Sequence, residues 1–161
     1  MVYPVIFGLQ KHVAGNGFLA EVNLNCTAVL EYDAEDKEWW ALGVQPGGFA
    51  TSGASWNEAY LNLRQSMIKV LFDSAALTAG FDAFRADVEK LMNACHEEEN
   101  KRWAVAREEI RAGKAVEESG LAELPRATKT ITPGVVVRAV DTKQHTFVPS
   151  ENLAQELASA A

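Results

Sequence analysis

Apolar and polar side chains alternate from residue 18 to residue 32, which is the two-residue period of a strand with one buried face. The apolar positions are Phe18, Ala20, Val22, Leu24, Cys26, Ala28, Leu30 and Tyr32. A polar run over residues 33–38 then predicts a turn into a second strand at residues 39–44. Because Pro46-Gly47-Gly48 removes one backbone donor and permits positive φ angles, it ends that strand and allows a short third strand at residues 49–52.

The segment Ser55-Trp56-Asn57-Glu58 has the sequence of a capping box. In this motif the serine hydroxyl accepts the N–H of the third following residue, and the glutamate carboxylate accepts the N–H of the cap residue. Apolar residues then recur at spacings of three and four: Trp56, Ala59, Tyr60, Leu63, Met67, Val70 and Leu71. This stripe predicts a helix, ending near residue 72, that covers the apolar face of the sheet.

A second helical pattern covers residues 81–114, where apolar side chains keep close to a period of 3.6 residues. The polar stretch 96–100 interrupts it, so the pattern fits either one long helix or two. Residues 3–13 and 135–140 predict two further strands, the first joined to the long alternating strand by a Gly-Asn-Gly turn. A serine-capped terminal helix is predicted from residue 150 onward.

These elements predict an α+β fold, in which an antiparallel sheet of the β-β-β-α type carries a long helical insertion and a further C-terminal strand. Residues 1–75 form the sheet and helix unit, residues 78–118 the helical segment, and residues 125–161 the last strand and helix of the same domain. Whether that strand pairs within the chain or with another subunit stays open. A helix extending beyond a small sheet would expose apolar surface, so a homodimer or higher oligomer is expected.

The composition narrows the range of partners. With 161 residues and 48% apolar content the chain is long enough for a real core, and its net charge of −7 argues against a phosphate backbone as the main partner. A cytoplasmic location and no membrane partner are expected, since neither a basic leader with a cleavage site nor a run of about eighteen apolar residues occurs. Cys26 and Cys95 fall on apolar faces, which favours buried free thiols over a disulfide.

An acidic hairpin, a Trp-bearing strand, a Pro-Gly-Gly-Phe corner and a Ser-Trp-Asn-Glu-Ala helix start follow one another along residues 18–72. This order resembles the HicB-like antitoxin family, and the residues that match are Trp39, Trp40, Pro46, Gly47, Phe49, Ser55, Glu58 and Ala59. The resemblance implies a truncated ribonuclease-H-like fold without a working carboxylate cluster. It also implies an antitoxin that occludes a small basic ribonuclease toxin. The family usually closes its sheet with a strand soon after the helix and often adds a small DNA-binding segment, whereas a second helical pattern follows here, so a DNA-binding role is not expected.

The candidate partner-binding residues lie at the hairpin. They are Asp33, Glu35, Asp36, Glu38 and Trp39. The clustered carboxylates would steer a cationic protein surface, although the same residues also suit a plain soluble turn. Since adjacent strand residues point to opposite faces and Trp40 shares its parity with Leu42 and Val44, Trp39 is expected on the outer face. There it would anchor a partner or pack under the later helix.

Catalytic chemistry finds little support, and no cofactor or metal is expected. His12, His96 and His145 lie far apart in the sequence, and none has a second ligand at metal-binding spacing. A ribonuclease-H-like nuclease would need converging carboxylates, but Asp33 and Asp36 belong to a turn. Two non-catalytic functions therefore lead: the antitoxin, and an inhibitor or adaptor of a host defence protein, encoded by a phage or mobile element, that binds through the helical insertion.

Overall fold

The computed structural model describes residues 1–127 and 131–141, and within these ranges the chain forms five strands and four helices. The strands are β1 (Val2–Gly15), β2 (Phe18–Asp33), β3 (Glu38–Gln45), β4 (Ala50–Gly53) and β5 (Gly134–Ala139). The helices are α1 (Trp56–Leu77), α2 (Phe81–Asn93), α3 (Glu97–Arg111) and α4 (Ser119–Ala122). The predicted α+β class with an antiparallel sheet is confirmed. The helix predicted from residue 150 lies outside the described residues.

Strand β2 is the centre of the sheet. Along one edge it pairs with β1 over the whole length of the hairpin, from Val2 opposite Glu31 to Gly15 opposite Phe18. Its other edge is shared, because β3 pairs with residues 27–33 and β5 pairs with residues 20–25. The register shifts between Thr27 and Ala28, next to the point where β3 leaves the edge and β5 takes it over. The C-terminal strand therefore pairs within the chain.

The first hairpin is built as its turn residues predict. Gly17 has a φ of 77°, which a residue without a Cβ adopts at little cost, and Asn16 precedes it in the turn. The Asn16 side chain donates to the carbonyl oxygen of Thr78 at 2.8 Å. Because Thr78 is the C-cap of α1, this bond fixes the hairpin end to the end of that helix.

Helices α1 and α2 cover one face of the sheet and enclose the main core. The helical side chains buried there are Ala59, Leu63, Met67, Leu71, Ala75, Phe84, Val88 and Met92. They pack on the alternating apolar side chains of β1 and β2 and on Val137 of β5. The hydroxyl of Ser74 donates to the Asp87 carboxylate at 2.5 Å, which joins α1 to α2.

Helix α3 lies on the opposite face, where Trp103 packs with Val29 and Val44. The chain reaches that face across the end of β3, since the N–H of Gly47 donates to the Ala94 carbonyl and the N–H of His96 donates to the Val44 carbonyl. The polar stretch at 96–100 is thus the start of a new helix: Nδ1 of His96 accepts the N–H of Glu99 at 3.4 Å, and three glutamates occupy the first turn.

The structure decides between the one long helix and the two helices that the sequence left open. Residues 81–114 contain two helices, and both bury apolar side chains against the sheet, α2 on one face and α3 on the other. The expected burial of Cys95 was wrong, since this residue lies exposed in the link between α2 and α3. Cys26 is buried as predicted. Within the ranges described, no helix combines the length and the apolarity needed to cross a membrane.

Candidate functional site

The acidic turn between β2 and β3, residues 33–38, is called here the acidic tip. Asp33 shapes it from within, because its carboxylate accepts the N–H of Glu35 at 2.8 Å and the N–H of Asp36 at 3.3 Å. Lys37 completes the reversal with a φ of 55°. Asp33 is therefore engaged in holding the turn, and a partner would meet the residues beyond it.

Glu35, Asp36 and Glu38 are exposed on the acidic tip. Among the ion pairs formed by the described residues, none includes these three carboxylates. The turn backbone is held by Asp33, so the three charges stand on a defined scaffold rather than on a loose loop. The predicted cluster of carboxylates is thus brought together at one end of the molecule.

The expected position of Trp39 on the outer face of the sheet is wrong. Trp39 is only 8% exposed and belongs to the main core, with its ring centroid 5.8 Å from that of Tyr3 and 5.7 Å from that of Tyr32. It therefore cannot anchor a partner directly, and α3 lies on the other side of the sheet. The aromatic residue that reaches solvent beside the acidic tip is Tyr32, which is 48% exposed and packs on Trp39.

The register of the hairpin explains the error. Tyr32 lies opposite Trp39 and Leu30 opposite Ala41, so Trp39 shares a face with the apolar side chains of β2. Leu42 and Val44, which were expected under α1, instead pack with the α3 cluster. A four-residue turn between Asp33 and Glu38 is enough to derive this register, which places Tyr32 on the same face as Trp39 at the end of the strand next to the turn.

Arg102 fastens α3 to the sheet near the acidic tip. Its guanidinium pairs with Glu31 of β2 and with Glu99 of α3, the latter at 2.9 Å. Burial alone would lower the pKa of Arg102, but the hydrogen bonds and charges of Glu31 and Glu99 outweigh it and raise the pKa. The α3 layer is thereby held against β2 by a three-residue ion network.

A cleft with a volume of about 640 Å³ opens beside β1, which pairs only with β2 among the described strands. Its walls are the start of α1, the end of α3 and residues 116–127. Gly120 of α4 approaches Trp56 so closely that an added Cβ would lie 2.9 Å from the indole nitrogen. On the opposite wall the indole N–H of Trp103 donates to the Val5 carbonyl at 3.2 Å. No sequence pattern had indicated this cleft, because its walls come from distant segments.

The histidines considered as metal ligands do not form a metal site with other residues in the described part of the chain, where no group of three His, Cys, Asp or Glu side chains is placed to hold an ion. His12 lies 3.7 Å from Glu21, and His96 caps α3. His145 lies outside the described residues. Comparison of the chain with models of protein families, with curated proteins and with solved structures found no match.

Proposed function

We propose that this protein is a non-catalytic binding protein that captures a basic protein partner through its acidic tip. The observation that carries this proposal is the set of three exposed carboxylates, Glu35, Asp36 and Glu38, held on a turn whose backbone Asp33 already fixes. Opposite charges on two surfaces speed encounter and select the partner more than they add affinity. In the specific form that the HicB-like resemblance implies, the partner is a small basic ribonuclease toxin that the antitoxin occludes.

The layers of the fold limit where such a partner can bind. Both faces of the sheet are covered, one by α1 and α2 and the other by α3. A partner would therefore contact the end of the β2–β3 hairpin rather than the sheet face, with Tyr32 as the exposed aromatic beside the carboxylates. This moves the aromatic contact of the proposed interface from Trp39 to Tyr32.

The alternative function is that of an inhibitor or adaptor that binds a host protein through the helical insertion. Such binding has to use surfaces of α2 and α3 that do not pack on the sheet. The inner sides of α2 and α3 bury Phe84, Val88, Met92 and Trp103 against the sheet. Only their outer sides are open to a partner. Deleting residues 81–114 would remove part of the core, so loss of binding in that deletion would not identify an interface.

The test is affinity capture from a lysate of the source organism at low and at high salt, followed by mass spectrometry. The protein is compared with E35Q/D36N/E38Q, which removes three charges from the acidic tip. The matched control is E97Q/E98Q/E123Q, which removes three exposed charges elsewhere. We expect the protein and the control to retain a basic partner that high salt releases, and the tip variant to lose it. Equal retention by both variants would reject the acidic tip as the binding site.

The antitoxin form is tested separately by growth rescue. Co-expression with a small toxin encoded by a neighbouring gene should restore growth when the protein is present and should fail with E35Q/D36N/E38Q. If no neighbouring toxin is neutralised while a basic partner is still captured, the antitoxin form is rejected and the binding function stands.

The expected homodimer or higher oligomer was based on a helix that extends beyond the sheet, whereas both helices of the insertion pack on the sheet. Self-association stays a prediction from the sequence. Light scattering measures the oligomeric state directly, and a monomer mass at micromolar concentration would contradict self-association.

A further inference from the structure

We infer that the cleft beside β1 binds a small organic anion with a flat apolar body. This site is separate from the acidic tip and does not depend on the protein-binding function. Its volume of about 640 Å³ lies within the range of roughly 300–1,000 Å³ that is usual for pockets that hold small ligands. The walls form a partly open cleft of small-molecule size.

Four aromatic side chains belong to the lining of the cleft. Trp56 and Tyr60 line it from α1, Trp103 lines it from α3, and Tyr3 contributes from β1. Burial raises the pKa of Tyr3, so its hydroxyl stays neutral. The charge at the cleft therefore comes from other residues. Tyr3 and Trp103 are largely buried and present only part of their rings, and together with Trp56 and Tyr60 they give a lining that favours a ligand with a flat apolar body.

The cleft is lined by basic side chains, although the chain as a whole is acidic. Asp and Glu outnumber Lys and Arg by 22 to 15 in the whole sequence, yet the residues that line the cleft include Arg107, Arg111 and Arg126 and no carboxylate from the described part of the chain. Arg111 is paired with Glu108, and Glu117 and Glu118 lie near Tyr3 outside the lining, so Arg107 and Arg126 supply the positive charge that favours an anion. A cationic ligand would meet unfavourable charge, and a neutral ligand would leave the arginines unused.

Arg107 is the residue best placed to bind the anionic group. Its guanidinium lies 5.2 Å from the centre of the Trp103 ring and is only partly exposed, and no ion pair to it occurs among the described residues. Arg111, one turn later on α3, lines the same wall but is paired with Glu108 at 3.0 Å. A ligand would thus contact the apolar lining and place its carboxylate, sulfonate or phosphate against Arg107.

The first measurement uses two probes of nearly the same shape, the anionic 1-anilinonaphthalene-8-sulfonate and the neutral N-phenyl-1-naphthylamine. We expect one saturable site for the anion on the full-length protein. R107Q should weaken binding of the anion about tenfold, and binding of the neutral probe less than about twofold. R85Q is the charge-matched control, because Arg85 lies on α2 outside the cleft and pairs with Glu89. It should leave both affinities unchanged. Near-ultraviolet circular dichroism checks that each variant is folded.

The second measurement locates the bound probe. The chain has four tryptophans, of which Trp56 and Trp103 line the cleft while Trp39 and Trp40 do not. Titration with the anionic probe should shift the indole N–H signals of Trp56 and Trp103 in a nitrogen-15 correlation spectrum and leave the other two in place. Single Trp-to-Phe variants assign the four signals.

Two results would overturn the inference. If the Trp56 and Trp103 signals do not respond, the cleft is closed in solution or filled by another part of the chain, and any probe binding belongs to a different apolar surface. If both probes bind with equal affinity and R107Q changes neither, the site is apolar but does not select an anion.

Discussion

Cys26 lies in the middle of β2 opposite Phe7, and none of its side chain reaches solvent. Burial raises the pKa of this thiol from its ordinary value of 9.0 to about 12, because a thiolate would lose its hydration. A raised pKa in the folded state gives stability that is complete below pH 9 and is lost as the pH rises toward 12. At pH 10.5 the loss should be about 2 kcal/mol relative to pH 8.

The C26A variant isolates this contribution, because alanine has no titrating group and other residues change the pH dependence of both proteins alike. The measurement is urea unfolding at pH 8 and pH 10.5 under reducing conditions. We expect the free energy of unfolding of C26A to fall by about 2 kcal/mol less than that of the unsubstituted protein over this interval. Parallel pH dependence of the two proteins would contradict a buried thiol.

At the scale of single residues the sequence predicts local roles well and orientation poorly. The cap at Ser55 and the turn at Gly17 depend on neighbours a few positions away, and both are present. The side of the sheet that Trp39 faces depends on the pairing register with β2, and both faces of β3 are covered. Alternation alone cannot distinguish two buried faces.

Helix α1 begins with a slightly displaced capping box. The hydroxyl of Ser55 accepts the N–H of Glu58 at 3.2 Å, as predicted, but the Glu58 carboxylate accepts the N–H of Ala54 rather than that of the cap residue. We expect S55A to lower the free energy of unfolding by about 1 kcal/mol, because one N–H in the first turn loses its acceptor.

The control for this prediction is S66A. Ser66 lies inside α1 and its hydroxyl bonds only to the Asn62 carbonyl one turn earlier, so alanine should be neutral or slightly stabilising there. Urea unfolding followed by circular dichroism measures both variants. Equal stabilities for S55A and S66A would mean that the cap bond contributes nothing.

At the scale of elements the sequence predicts which segments are helices and strands but not on which face each helix packs. The break between α2 and α3 was visible in the polar stretch at 96–100, since a histidine cap followed by three glutamates is a helix start. The crossing to the opposite face was not visible. It depends on the bonds of Gly47 and His96 with distant backbone groups, and the cleft beside β1 exists only because of that crossing.

The whole molecule is organised around β2, which contacts every other part of the sheet except β4. Both helical layers pack on the sheet, so α1, α2 and α3 share their buried clusters with its strands. We expect one cooperative unfolding transition, in which far-ultraviolet circular dichroism and tryptophan fluorescence give the same urea midpoint. Two separated midpoints would mean that α3 unfolds independently of the main core.

The acidic tip and the cleft lie near each other, because Tyr3 lines the cleft and also packs on Trp39, the residue that follows the tip. The tip exposes carboxylates and the cleft carries arginines, so two neighbouring surfaces of the molecule carry opposite charge. A basic partner is therefore expected to distinguish them by charge and to approach the tip.

This charge separation predicts how binding of the captured partner depends on salt. The association rate at low salt should be about tenfold lower for E35Q/D36N/E38Q than for the unsubstituted protein, because the steering charges are gone. Raising the salt concentration should slow the unsubstituted protein steeply and the variant only slightly, until the two rates converge. Stopped-flow mixing at several salt concentrations measures both rates, with E97Q/E98Q/E123Q as the control of equal net charge. If that control loses the salt dependence to the same extent, the net charge of the protein and not the acidic tip directs the encounter.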